Sequence, residues 1–164
     1  MDNQPFEEFP WQYFPKPVID HRPPIFVYGF PLKSDVSEIE RIAHIAGILK
    51  PEESLTGRNV MSILPQTMKY LGKECGLSRG DSLSVNGCYC RTIGFVLKLK
   101  TNYNHGLIPP ENLEHVIDAI DALKEYLPGK APQWFLDPNI VYMERQRFEI
   151  PGLLCCQSPV ALFG

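Results

Sequence analysis

Apolar residues along this chain fall into two rhythms, separated by breaks marked with proline and glycine. Ile25-Phe26-Val27-Tyr28, between Pro24 and Gly29, is a short β-prone run that predicts a strand. Val36, Ile39, Ile42, Ala43, Ala46 and Leu49 then share one face at helical spacing and predict a first helix ended by Pro51. Asp35 and Glu38 ahead of that face have the spacing of a capping box. Gly47 inside the span costs up to about 1 kcal/mol relative to alanine unless close packing requires it. A second helix carries Val60, Leu64, Met68 and Leu71; Pro65 implies either a kink or a start near Ser62, and Gly76 is suited to cap its end.

Between residues 82 and 100 the rhythm changes to alternation. Leu83 and Val85 alternate with Ser82 and Ser84, and Asn86-Gly87 has the composition of a type I′ turn. Tyr89, Ile93, Phe95, Leu97 and Leu99 follow on the returning arm, which predicts a β-hairpin with odd-numbered side chains inward and Lys98 and Lys100 outward. A third helix is predicted where Pro109-Pro110 leads into Leu113, Val116, Ile117, Ile120, Leu123 and Leu127, with Pro128-Gly129 as its stop. A last strand is expected from Ile140 to about Phe148. The order β-α-α-β-β-α-β predicts an α+β fold: a small antiparallel sheet of three or four strands with about three helices on one face.

Outside this unit, taken as residues 25–150, lie an arm (1–24) and a tail (151–164). The chain has 164 residues and 16 prolines, and six of those prolines fall in the arm, which is therefore expected to run extended. Phe6, Phe9, Trp11, Tyr13 and Phe14 are too many rings to leave in water, since each buries about 150–250 Å² when packed. Either the arm lies across its own domain, or it is a ligand for another protein's groove. The tail is apolar and irregular, and Leu153, Leu154, Val160, Leu162 and Phe163 need a surface to pack on.

Composition narrows the function classes. At 44% hydrophobic and 21% charged the chain is globular, and a net charge of −3 without any Lys/Arg run argues against nucleic acid or an anionic membrane as partner. No apolar run approaches the ~20 residues that span a bilayer. The first residues lack the order of a signal peptide and the last lack a prenylation cysteine, so a cytoplasmic location is expected. The five cysteines, Cys75, Cys88, Cys90, Cys155 and Cys156, are an odd count for a disulfide framework, and neither close pair has zinc-ligand spacing. Reduced, mostly buried thiols are expected, with no metal and no cofactor.

Candidate chemistry is sparse. Gly80-Asp81-Ser82-Leu83 is similar to the string that names the GDSL hydrolases, a family of serine esterases and lipases, and the resemblance covers those four residues alone. It would make Ser82 a nucleophile. However, the family's late Asp-x-x-His pair is missing, and a serine without a base is a poor nucleophile. The alternative is a turn leading into the hairpin. His21, His44, His105 and His115 form no set; His44 lies opposite the core stripe, one turn after Glu40. On the third helix Glu111, Glu114, Asp118, Asp121 and Glu125 recur opposite the apolar stripe, with Lys124 placed off that face. Like charges so spaced repel by about 0.2–0.5 kcal/mol each, which suits either a solvated face or a docking surface for a basic partner. The resulting expectation is a non-enzymatic intracellular protein acting through protein contacts. Phe9, Trp11, Tyr13, Glu114, Asp118 and Asp121 are its candidate binding residues, and a small serine hydrolase centred on Ser82 is the alternative.

Overall fold

A computed structural model describes residues 5–9, 25–77, 83–88, 90, 93–102 and 113–138. Its elements run β1 (Phe26–Leu32), α1 (Ser37–Ile45), α2 (Val60–Glu74), β2 (Ser84–Gly87), β3 (Phe95–Thr101), α3 (Glu114–Tyr126) and β4 (Gln133–Leu136). The four strands form one antiparallel sheet in the order β2-β3-β1-β4, which is the α+β architecture expected from the hydrophobic pattern. The expected strand at 140–148 lies outside the described residues. The fourth strand is instead Gln133–Leu136, a four-residue run too short to show alternation.

The three helices converge on one face of the sheet. Ile39 and Ile42 of α1, Met68 and Leu71 of α2, and Val116, Ala119 and Leu123 of α3 share a core with Phe26, Tyr28, Phe30, Leu32, Leu97 and Leu99. The odd-numbered residues of β3 point inward as the alternation requires. On the opposite face Val27, Val96 and Phe135 are also buried, beside Ile25, Cys88 and Ile93, so Ile93 packs on the outer side and not the inner one. β1 continues through Gly29 and Pro31. Pro31 is tolerated because β4 pairs with β1 only as far as Gly29, so the missing N–H falls where no neighbouring strand needs it.

Chain reversal between β2 and β3 is not made by Asn86-Gly87. Those residues pair with Val96 and Phe95 inside the ladder, and neither has a positive φ. The connection is 88–94, closed by a Cys88 N–H bond to the Gly94 carbonyl at 3.2 Å. Leu83 and Val85 must face the same side as Leu97, and this register overrides the local turn preference of the dipeptide.

Helix ends show a similar competition. α1 stops at Ile45 and not at Pro51, because Gly47 (φ 68°) terminates it: Gly47 N–H bonds the His44 carbonyl at 3.0 Å and Ile48 N–H the Ala43 carbonyl at 2.9 Å. That double bond is a Schellman motif, so Gly47 is a cap and not a helix-interior cost. Gly76 (φ 66°) ends α2 in the same way, as expected, with Leu77 N–H on the Gly72 carbonyl at 2.9 Å.

At the start of α1 the reciprocal capping box is absent. Asp35 accepts from Ser37 N–H at 3.1 Å, whereas Glu38 turns to the Lys33 N–H at 3.2 Å and to the Lys130 ammonium. Lys130 also donates to the Pro31 carbonyl at 2.7 Å, tying β1, α1 and the approach to β4 together. Val36, just before the helix, holds a left-handed backbone (φ 50°) that costs a β-branched residue about 1–3 kcal/mol. Arg41 donates to the Tyr126 carbonyl, placing a cation at the negative end of α3.

The described part of the arm belongs to the domain. Phe6 exchanges two backbone bonds with Trp134, at 2.9 and 2.8 Å, and extends the sheet beyond β4. Phe9 is buried in the core, 4.7 Å from the Trp134 ring and 5.8 Å edge-on to Phe26.

Candidate functional site

Phe9 is thus occupied by its own domain and is not exposed to a partner. Trp11, Tyr13 and Ser82 lie outside the described residues. Glu114, Asp118 and Asp121 are exposed on one face of α3, with Ile117 (42% exposed) among them. The structure therefore brings those three acids together, and Ala119 takes the buried position that the pattern assigned to Ile117. Lys124 does not stand apart from the acidic face, since its Nζ is 2.6 Å from Asp121 Oδ1. Glu40 makes no ion pair with His44; it accepts from the Leu55 N–H at 2.7 Å and anchors the loop before α2.

Among the described residues, no three His, Cys, Asp or Glu side chains gather closely enough to hold a metal ion. Cys75 and Cys88 are free thiols. Burial, then the neighbouring Glu74, pushes Cys75 up to about 11. Burial, then the nearby Cys90, pushes Cys88 up to about 12, and its Sγ donates to the Ile93 carbonyl at 3.0 Å. Both are protonated near neutrality, when only a thiolate would be nucleophilic.

Among the described residues a concave surface lies elsewhere, between α2 and β2. It is an open groove of about 1160 Å³. One wall is α2, built on a start that needs no conventional cap. Asn59 accepts from the Thr56 N–H at 2.7 Å and donates to the Ser54 carbonyl at 3.0 Å, holding the preceding loop while its own carbonyl takes the first helical bonds. Pro65 sits within α2, and its ring lines the groove. Two residues past Pro65, Thr67 is fully buried and donates its hydroxyl to the Ile63 carbonyl at 2.9 Å.

Along the groove α2 presents two chemically different halves. Leu64, Pro65 and Met68 make the first half apolar; Lys69 and Lys73 make the second half basic, with Gly72 low between them. Both lysines are exposed, and among the described residues neither forms an ion pair. They are one helical turn apart, about 6 Å along the axis. A methyl group at Gly72 would meet nothing within 4 Å, so the groove is open at that point. The other wall is β2, with Val85 and Ser84, above a floor of Leu77 and Leu83.

β2 is the end strand of the sheet, and among the described residues only β3 pairs with it. An end strand turns half of its N–H and C=O groups away from its neighbour, and those groups are a template for another strand. Sequence reasoning assigned Leu64 and Met68 to the core stripe and gave Lys69 and Lys73 no role. Leu64 and Met68 do pack in the core as well as line the groove, so the spacing of α2 carried no separate signal for it. Among the described residues no helix is long and apolar enough to cross a membrane. No protein-family model matches the chain, and no similar protein was found among curated proteins or among solved structures.

Proposed function

We propose that this chain is a non-enzymatic cytoplasmic protein that works by binding another polypeptide, and that the binding surface is the groove between α2 and β2. The observation that carries this reading is an end strand that, among the described residues, pairs on one side only and lies beside an apolar, helix-walled channel. An extended segment can add to such an edge: backbone bonds to the strand supply affinity, and alternate side chains enter the channel. The free thiols Cys75 and Cys88 support a reducing compartment. The acidic face of α3 remains available for a second contact with a basic partner, in keeping with the exposure of Glu114, Asp118 and Asp121.

The test is selection of random twelve-residue peptides displayed on phage, against the wild-type chain and against Gly72→Leu. The β-carbon of the leucine would meet nothing within 4 Å, and the rest of the side chain extends into the channel; thermal melting of the variant checks that it folds. Peptides that bind wild type, fail to bind Gly72→Leu and slow hydrogen exchange at the amides of 84–87 are expected. Selection that returns the same peptides on both proteins, or none on either, refutes the groove as the binding surface.

A further inference from the structure

We infer that the occupant of this groove is an extended acidic segment in which an apolar residue is followed or preceded, at two and four positions' distance, by carboxylates. The inference rests on the reading of the groove given above and adds the chemistry of its ligand.

Three observations carry it. First, a strand added to β2 presents every second side chain toward the helix layer, at a repeat of about 6.6–6.8 Å. The Lys69–Lys73 spacing of about 6 Å along α2 matches one such repeat. Two carboxylates placed two residues apart on the incoming strand would therefore each meet one ammonium group. Second, apolar Leu64 and Pro65 lie one further repeat along the helix, with Met68 between them and Lys69. They accommodate one apolar side chain on the same face of the incoming strand. Third, Lys69 and Lys73 carry unneutralised charge at the rim, whereas Lys124 and Lys130 are both engaged with carboxylates. Positive charge gathered beside an open edge repels basic strands and selects acidic ones.

Gly72 fits the same picture. Glycine inside a helix is disfavoured by about 1 kcal/mol relative to alanine. Here its φ is not in the left-handed region and a methyl would clash with nothing, so the fold itself gives no reason for it. A strand passing close to α2 between the two lysines does.

The probes are two fluorescein-labelled peptides, Thr-Leu-Thr-Glu-Thr-Glu-Thr and its reverse sequence, each with a counterpart in which glutamine replaces both glutamates. Anisotropy titrations are made against wild type and against the Lys69→Glu/Lys73→Glu double variant, whose exposed substitutions leave the core untouched. One glutamate peptide is expected to bind wild type about tenfold more tightly than its glutamine counterpart, and to lose about tenfold on the double variant. A lysine-for-glutamate version of that peptide is expected to regain affinity for the double variant. If glutamine and glutamate peptides bind both proteins equally, and Gly72→Leu abolishes that binding, the acidic preference is wrong while the groove reading stands. If no peptide binds wild type up to millimolar concentration, both fail.

Discussion

Replacing Gly29 with alanine adds one carbon, yet in β1 that carbon would stand 2.1 Å from the Leu97 carbonyl oxygen and 2.9 Å from Val96 Cγ1. An ordinary carbon–oxygen contact is about 3.3 Å or more, so β1 and β3 would have to separate locally by about 1 Å. The obstacle is backbone on the central strand pair, where the register already shifts between Tyr28 and Gly29, and no side chain can rotate out of the way. Separation by that amount breaks about two ladder bonds, worth about 1 kcal/mol each. Overpacking of the surrounding core adds about 1–3 kcal/mol. The entropy gained by removing a glycine from the unfolded chain, about 0.4–1 kcal/mol, offsets only a fraction of this. A net loss of about 3 kcal/mol corresponds to a fall in Tm on the order of 10 °C for a chain of this size. Gly72→Ala is the internal control: it carries the same change of residue into open space, so its Tm should rise by about 2 °C. Scanning calorimetry on the two variants measures both. If Gly29→Ala melts within about 3 °C of wild type, the close approach of β1 to β3 is not real.

Three other outcomes follow from the packing. Phe9→Ala should cost about 3 kcal/mol in urea unfolding, because the ring is buried against Trp134 and Phe26; a change below about 0.5 kcal/mol would return the arm to the status of a free ligand. For Glu38, burial opposes ionisation. Hydrogen bonds from Lys130 and from backbone N–H groups, with the Lys130 charge, outweigh it and hold the carboxyl below its ordinary 4.5. A carboxyl depressed by folding stabilises above its unfolded pKa, and that stability is lost as pH falls through the folded value. Lys130→Met should therefore flatten the acid limb of the stability profile and cost about 2 kcal/mol at neutral pH. That is less than for a sealed pair, since the lysine side chain is 22% exposed; an unchanged acid limb would remove the pair from the account. Iodoacetamide at pH 8 should label Cys75 and Cys88 far more slowly in the native protein than in urea, as read by peptide mass mapping; equal labelling in the two states would contradict the burial of Cys75 and the half-burial of Cys88.

What the sequence made legible was decided by how local the physics is at each place. Gly76 reads correctly as a cap because the apolar spacing of α2 stops with it. Gly47 does not, because Leu49 keeps the helical spacing of α1 while packing with Ala43 and Ile63 from the turn beyond it. Asn86-Gly87 has every local mark of a turn, but the pairing of β2 with β3 is set by matching faces across the ladder. Trp134 and Phe135 face opposite sides of the sheet and are both buried, so no polar alternation marks β4. The groove was invisible for a stronger reason. It exists because β2 ends the sheet beside α2, and strand order is a property of the whole chain that no window of residues contains.

The placement of β1 at the centre of the sheet also bears on how the protein is made. Phe26 is bonded to Asn102, 76 residues later, and its other neighbour, β4, is synthesised later still. Ribosomes add about 5–20 residues per second, so β1 leaves the exit tunnel several seconds before either flanking strand exists. During that interval the two apolar faces of the central strand have nothing to close on, which makes the nascent chain a natural client for chaperones. Long-range closure of this kind also favours slow folding, with the rate governed by the meeting of distant segments and not by formation of the helices.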